Sequence, residues 1–169
     1  MTRPLRLKKN ADRRLKSGHL WLYSNEIDTD ATPLKTFEPG AQAVVEASNG
    51  RAMAVAYVNP HSLICARVVS RDPEMRLDRS LLVHRFKQAL GLRQRLFAKP
   101  FYRLVHGEGD LLPGLIVDRF DDVLELVADG LEHGDPLRAA GVAVAADLDV
   151  AAGHDASVGG LDGCPDQKP

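Results

Sequence analysis

Apolar and polar positions alternate from the start of the chain. Leu5-Arg6-Leu7-Lys8-Lys9 has the period of a half-buried strand. Asn10 is a natural N-cap for a short helix over residues 11–17, with Gly18 at its C′ position. Ala11 and Leu15, four apart, face a core and leave Arg13, Arg14 and Lys16 largely to solvent. Aliphatics and aromatics interleave from His19 to Ile27, as in a strand or strand entry. In a chain with only 5 % aromatic residues, Trp21 and Tyr23 are expected in the core rather than stacked on a ligand.

Asn49-Gly50 predicts a type I′ hairpin joining strands over 43–47 and 53–58. Asn59-Pro60 ends the second arm, and a third strand follows over 63–69. At Asp78, a natural N-cap, the period becomes helical. Leu82, Phe86, Ala89, Leu90, Leu96 and Phe97 form an apolar face, with Arg79, Arg85, Lys87, Arg93 and Arg95 opposite, read as a solvated basic face. Strands are expected over 101–105, 115–120 and 123–127, with a turn-rich stretch from His106 to Gly114. His106, Glu108 and Asp110 stand at alternate positions, but the glycines between them give a loop with no fixed facing, so a turn is preferred to a catalytic or metal role.

Pattern fades near Gly130. Residues 130–169 hold 8 Ala, 7 Gly and 6 Asp, and no aromatic follows Phe120. So little apolar bulk offsets ordering entropy poorly, and a poorly ordered tail is expected. The expected fold class is α+β: a small antiparallel β-barrel, then a helix and a partial β-hairpin domain, then the tail. The expected domains are 1–72, 73–129 and 130–169.

Charge changes the picture. The net charge of -1 averages two unlike regions. Residues 1–103 carry 19 Lys+Arg against 9 Asp+Glu, a net of +10, and residues 104–169 carry 3 against 14, a net of −11. A basic region of this kind suits a polyanion partner. Lys8, Arg13, Arg14 and Lys16 are the first candidates for RNA contact, with His19 beside them and Lys9, Arg51 and Arg67 second. For each, a solubilising surface role is the competing reading. The basic N-terminus is not followed by an apolar signal region, and no apolar run approaches the ~20 residues that span a bilayer, so a cytoplasmic, non-membrane protein is expected. Cys65 and Cys164 lie far apart and outside any CxxC, so neither zinc nor a disulfide framework is expected. Cys65, inside a strand pattern, reads as an inert core residue.

Three stretches carry a family resemblance. These are Gly18-His19-x-Trp21-x-Tyr23-Ser24-Asn25-Glu26-Ile27, Tyr57-Val58-Asn59-Pro60-His61-Ser62-Leu63-Ile64-Cys65-Ala66-Arg67, and the run from Tyr102 to Phe120. Together they resemble the PUA domain and the start of the connector domain in class I S-adenosylmethionine-dependent large-subunit rRNA cytosine-5 methyltransferases. One local departure is Leu111, where the family usually has glycine in an Asp-Gly-Leu-Pro-Gly run. The resemblance implies a PUA-type barrel in residues 1–72 that binds RNA, 23S-type rRNA by the family's substrate. It also implies a Rossmann-like catalytic domain that holds S-adenosylmethionine.

No glycine-rich turn opening a helix after a strand is present to build that catalytic domain, and neither cysteine has a site around it. The expectation is therefore an RNA-binding portion with no catalytic residues, cofactor or metal of its own, and inactive by itself. Its tail would arise from truncation of such an enzyme or from a shifted reading frame. Two alternatives remain open: a subunit of a split methyltransferase, and a stand-alone non-enzymatic RNA-binding or ribosome-assembly protein. Oligomeric state is left unassigned.

Overall fold

The computed structural model describes residues 3–128. The expected tail, residues 130–169, and with it Cys164, lies outside the described residues.

The first unit is a five-stranded sheet of β1 (Arg3–Arg6), β2 (Trp21–Leu22), β3 (Ala41–Glu46), β4 (Ala52–Val58) and β5 (Ala66–Ser70), in the order β1-β3-β4-β5-β2. Neighbours are antiparallel except β1 and β3, which pair in parallel, so the sheet is mixed rather than antiparallel throughout. Its two edges come together: Leu7 bridges Ile27, and the amides of Lys8 and Asp28 reach the carbonyls of Glu26 and Arg6. That contact curls the sheet into a barrel and removes two exposed edges. The interior holds Leu5, Leu7, Leu15, Leu22, Ile27, Val45 and Val58, with Phe37 plugging one side. Phe37 arrives from a 3₁₀ turn over Leu34–Thr36 that the hydrophobic pattern does not signal.

The expected short helix is α1 (Asp12–Lys16), but Asn10 does not cap it. Asn10 adopts φ 69, and no side chain caps the helix at Ala11. Gly18, at φ 110, ends the segment as expected. The β3–β4 hairpin is present with a different turn. Ala47 and Arg51 pair across a three-residue loop, the Gly50 amide reaches the Ala47 carbonyl at 2.9 Å, and Gly50 alone has positive φ. This is a type I turn closed by a left-handed glycine, the usual three-residue alternative to type I′.

The second unit is α2 (Arg79–Leu96) over a three-stranded antiparallel sheet, β6 (Phe101–His106), β7 (Leu115–Phe120) and β8 (Val123–Ala128), in the order β6-β7-β8. Asp78 caps α2 as expected, accepting from the Leu81 amide at 3.0 Å. Leu82, Phe86 and Ala89 bury the helix against Leu104, Val105, Leu115 and Val117. Each fully buried Leu or Phe contributes about 1.5–3 kcal/mol. The same cluster takes in Val55, Tyr57 and Val69 from the barrel, so the two units share a hydrophobic seam.

The opposite face of α2 is not simply solvated. Arg85 is buried and donates to the Leu111 carbonyl. Arg93 forms a bidentate pair with Asp110, at 2.9 and 2.7 Å. Both arginines tie α2 to the loop after β6. Leu96 and Phe97, placed on the apolar face by spacing, are exposed beyond the packed part of the helix. Phe97 packs its ring 5.3 Å from that of Tyr102.

Candidate nucleic-acid interface

Tight local geometry gathers the basic residues of the N-terminal region. The left-handed Asn10 turns the chain from β1 into α1, so Lys8 and Lys9 stand exposed just before a helix that presents Arg13, Arg14 and Lys16. Lys8, Lys9 and Arg13 are exposed and enter no ion pair with a described residue. Arg51, beyond the tip of the β3–β4 hairpin, is exposed too and lies close enough to Asp12 to favour its charged form. Arg6 Nη2 reaches the same hairpin: it lies 3.6 Å from where a Cβ on Gly50 would stand.

Two of the expected contact residues are already engaged. Lys16 pairs with Asp12, and that hydrogen bond, first among several influences, holds the Asp12 carboxyl below its usual range. Arg14 lies over the Tyr23 ring, 4.7 Å from its centroid, and reaches Glu26 Oε1 at 3.3 Å. Glu26 in turn accepts from the Tyr23 amide at 2.8 Å. Arg14 therefore ties α1 to the following turn and Lys16 is held within the helix, and the cations left for a ligand are Lys8, Lys9 and Arg13 with Arg51. His19 is exposed past the end of α1. Arg71, which charge patterning does not single out, joins it there: its Nη2 lies 3.6 Å from where a Cβ on Gly18 would stand.

Arg67, a second-rank candidate for RNA contact, does not lie on the open surface: it is 7 % exposed, on β5 between β4 and β2, because both faces of β5 are covered. Trp21 is the converse case, and corrects the expectation of a core position. It is 38 % exposed rather than in the core, since β2 lies at the edge of the five-stranded sheet. Trp21 and Arg67 are directly opposite in the β2–β5 register. Tyr23 is half-buried beneath Arg14.

The turn expected over His106–Gly114 is a 3₁₀ turn, Gly107–Asp110, ending on Leu111 in the left-handed region at φ 58. Its carboxylates do structural work. Asp110 accepts from the His106 amide at 2.7 Å as well as from Arg93, and Glu108 Oε1 accepts from Trp21 Nε1 at 2.5 Å. Among the described residues no cluster of three or more His, Cys, Asp or Glu is placed to hold a metal ion. Cys65 is fully buried, donates to the Leu22 carbonyl at 3.5 Å, and burial pushes its thiol up to about 12. A thiol in that setting is no nucleophile. No described helix is long and apolar enough to cross a membrane.

A cradle for S-adenosylmethionine requires a glycine-rich turn leading from a strand into a helix, so that backbone amides approach the ligand. The long helix α2 instead follows Arg76-Leu77-Asp78. Among the described residues no glycine-rich turn of that kind leads from a strand into a helix.

Known proteins resemble the chain at two levels. Residues 5–71 match the PUA-like domain family. Over 140 residues the chain is 34 % identical to Ribosomal RNA large subunit methyltransferase I of Pseudoalteromonas translucida, covering 79 % of this chain and 34 % of that protein. It is 32 % identical over 127 residues to Ribosomal RNA large subunit methyltransferase of Deinococcus radiodurans, covering 71 % of this chain and 30 % of that one. The chain thus spans about a third of the length of the curated relatives it matches. Among solved structures, a candidate SAM-dependent methyltransferase from Streptococcus mutans superposes with a TM-score of 0.69 at 16 % identity, over 87 % of this chain and 38 % of the other, which is a likeness of fold. The chain therefore carries a PUA-like domain and is similar in sequence to large-subunit rRNA methyltransferases over about a third of their length.

Proposed function

We propose that the chain is the RNA-binding portion of an rRNA methyltransferase of the cytosine-5 class, and that it holds 23S-type rRNA without carrying out methyl transfer itself. In this reading residues 1–72 form the RNA-binding PUA-like unit and residues 73–129 begin the connector domain. The catalytic domain and its S-adenosylmethionine belong to another part of the enzyme, and the protein works in the cytoplasm. The observation that carries the proposal is the set of exposed cations Lys8, Lys9 and Arg13, unpaired among the described residues, on the PUA-like barrel, with Arg51 exposed beside Asp12. Phosphate neutralisation by lysine and arginine supplies most sequence-independent affinity for nucleic acid and makes it steeply salt-dependent.

A titration of the 169-residue chain with single-stranded fragments of large-subunit rRNA, from low to physiological salt, tests this reading. Binding that weakens steeply as salt rises is expected. Binding that is absent at low salt sinks it. Calorimetry with S-adenosylmethionine separates it from an enzymatic reading, because measurable cofactor affinity would contradict the proposal that this chain binds RNA without carrying out methyl transfer.

A further inference from the structure

A cavity of about 110 Å³ opens in the seam between the barrel and the second sheet. Trp21 and Arg67 line it from the barrel, and His106, Gly107, Glu108, Gly114 and Ile116 line it from the other side. Its lining residues all fall within the three stretches that carry the family resemblance, but nothing in the sequence brings them together as one site. Its defining feature is a missing partner: Arg67 is more than nine-tenths buried, and its Nε and Nη1 have no hydrogen-bond acceptor among the described residues. A guanidinium is a permanent cation with a planar fork of donors, and buried donors of this kind normally meet an acceptor. The neighbouring arginines of the second unit follow that rule, with Arg85 on a carbonyl and Arg93 on a carboxylate. Arg67 is the exception, and it lines a cavity.

The remaining lining narrows the chemistry of the absent acceptor. Glu108 places a carboxylate in the same cavity, with Oε1 taken by Trp21 Nε1. A carboxylate there disfavours phosphate and any simple anion, and suits a ligand that offers acceptors to Arg67 and donors to Glu108 together. Gly107 and Gly114 contribute no side chains, while Trp21 and Ile116 are apolar, so the walls suit a flat group. At about 110 Å³ the cavity is smaller than the ~150 Å³ that holds a benzene-sized ring, so it takes only part of a base and leaves the rest, with its sugar and phosphate, outside. Among nucleobases guanine pairs two neighbouring acceptors, O6 and N7, with ring and amino N–H donors. We infer that this cavity receives one unstacked guanine of the bound RNA, with Arg67 donating to its O6/N7 edge, Glu108 accepting from its N–H groups and Trp21 flanking the ring. The inference rests on the RNA-binding reading and adds to it a base-specific contact about which phosphate-binding lysines carry no information.

Trp21 is the single tryptophan of the chain, so its fluorescence reports on the cavity directly. The experiment titrates the full chain with the pentaribonucleotides UUGUU, UUAUU and UUUUU and with inorganic phosphate. Tryptophan emission and the anisotropy of end-labelled RNA are read together. UUGUU is expected to change Trp21 emission and to bind roughly tenfold more tightly than UUUUU, the discrimination typical of one bidentate contact. Arg67→Gln, and independently Ile116→Phe, which fills the cavity without touching a charge, are expected to abolish that preference and keep the salt-dependent binding of UUUUU. Pentamers that all bind alike without a change in Trp21 emission overturn the inference and leave RNA binding intact. Equal responses to UUGUU and UUAUU, or a response to phosphate matching that to UUGUU, overturn it as well. No binding by any pentamer at low salt removes the RNA-binding reading itself, and the inference with it.

Discussion

The Tyr57 hydroxyl donates to the carbonyl oxygen of Pro113 at 2.9 Å, in a buried contact that crosses from β4 of the barrel to the turn before β7. It is a directional link within the hydrophobic seam, where Val55, Tyr57 and Val69 pack against the second unit. Tyr57→Phe keeps the ring but leaves the Pro113 carbonyl without this donor. The expected cost is about 1–2 kcal/mol, because a buried acceptor stripped of its partner loses more than the net worth of one hydrogen bond. Urea unfolding of the variant beside the parent measures it, and a difference near zero would mean that water satisfies the carbonyl.

Leu111 has the left-handed conformation, φ 58 and ψ 27, that favours glycine, and its side chain is largely exposed. A non-glycine residue there costs roughly 1–2 kcal/mol, and glycine returns part of that as unfolded-chain entropy. Leu111→Gly is therefore expected to stabilise the protein by about 0.5–1 kcal/mol, seen as a rise in Tm. A fall in Tm would show that Leu111 packing outweighs backbone strain.

Two carboxyls make stability depend on acid pH. Asp118, hydrogen-bonded and opposite in charge to its cross-strand partner Arg103 at 2.9 and 3.0 Å, is held below its ordinary value of 3.8, and so is Asp12 beside Lys16. A carboxyl whose folded value is depressed favours the folded state above its unfolded value, and that contribution disappears as pH falls through the folded value. The Tm is expected to hold from pH 7 to about 5 and to fall below about pH 4. Asp118→Asn should flatten part of the acid limb and lower Tm only slightly at pH 7, since exposed ion pairs contribute ~0.2–1 kcal/mol.

Cys65 behaves in the opposite sense. Burial raises its thiol to about 12 from an ordinary 9.0, so the neutral thiol of the folded state is fully compatible with stability below pH 9 and becomes a penalty between the two values. Alkylation by iodoacetamide at pH 8, followed by peptide mapping, is expected to spare Cys65 in native protein and label it after denaturation. Rapid native labelling would place the thiol outside the core described here.

Much of this architecture is legible in the hydrophobic pattern. The strands over 115–120 and 123–127, the Asp78 cap and the β3–β4 hairpin all rest on local signals that the fold obeys. Local signals fail where long-range packing decides. Arg67 has the sequence setting of a surface cation, but Ala66, Arg67, Val68 and Val69 are buried in succession, because the barrel interior covers one face of β5 and the seam the other. The near-continuous apolar run of β4, Ala54 to Val58, is the available sign of a sheet buried on two faces. Arg85 and Arg93 depart from the solvated face for a related reason: helical periodicity shows which face a residue occupies, not that a loop will fold back onto it. The parallel pairing of β1 with β3 joins segments some forty residues apart and leaves no local mark. For the candidate interface, the identity of the basic cluster is readable in the sequence, while the engagement of Arg14 and Lys16 by internal partners is not.

The RNA-binding proposal stands on an electrostatic contact made by Lys8, Lys9 and Arg13, and the most direct measurement is the salt dependence of RNA affinity in the triple variant Lys8→Glu, Lys9→Glu, Arg13→Glu. These side chains are exposed and unpaired among the described residues, so Tm should stay within about a degree or two of the parent. Removing one phosphate contact lowers the log–log salt slope by about 0.7 for a single strand. The predicted result is at least a roughly tenfold weaker affinity at low salt, with the slope reduced by about two. Parent-like affinity and an unchanged slope in a variant that folds normally would contradict the claim.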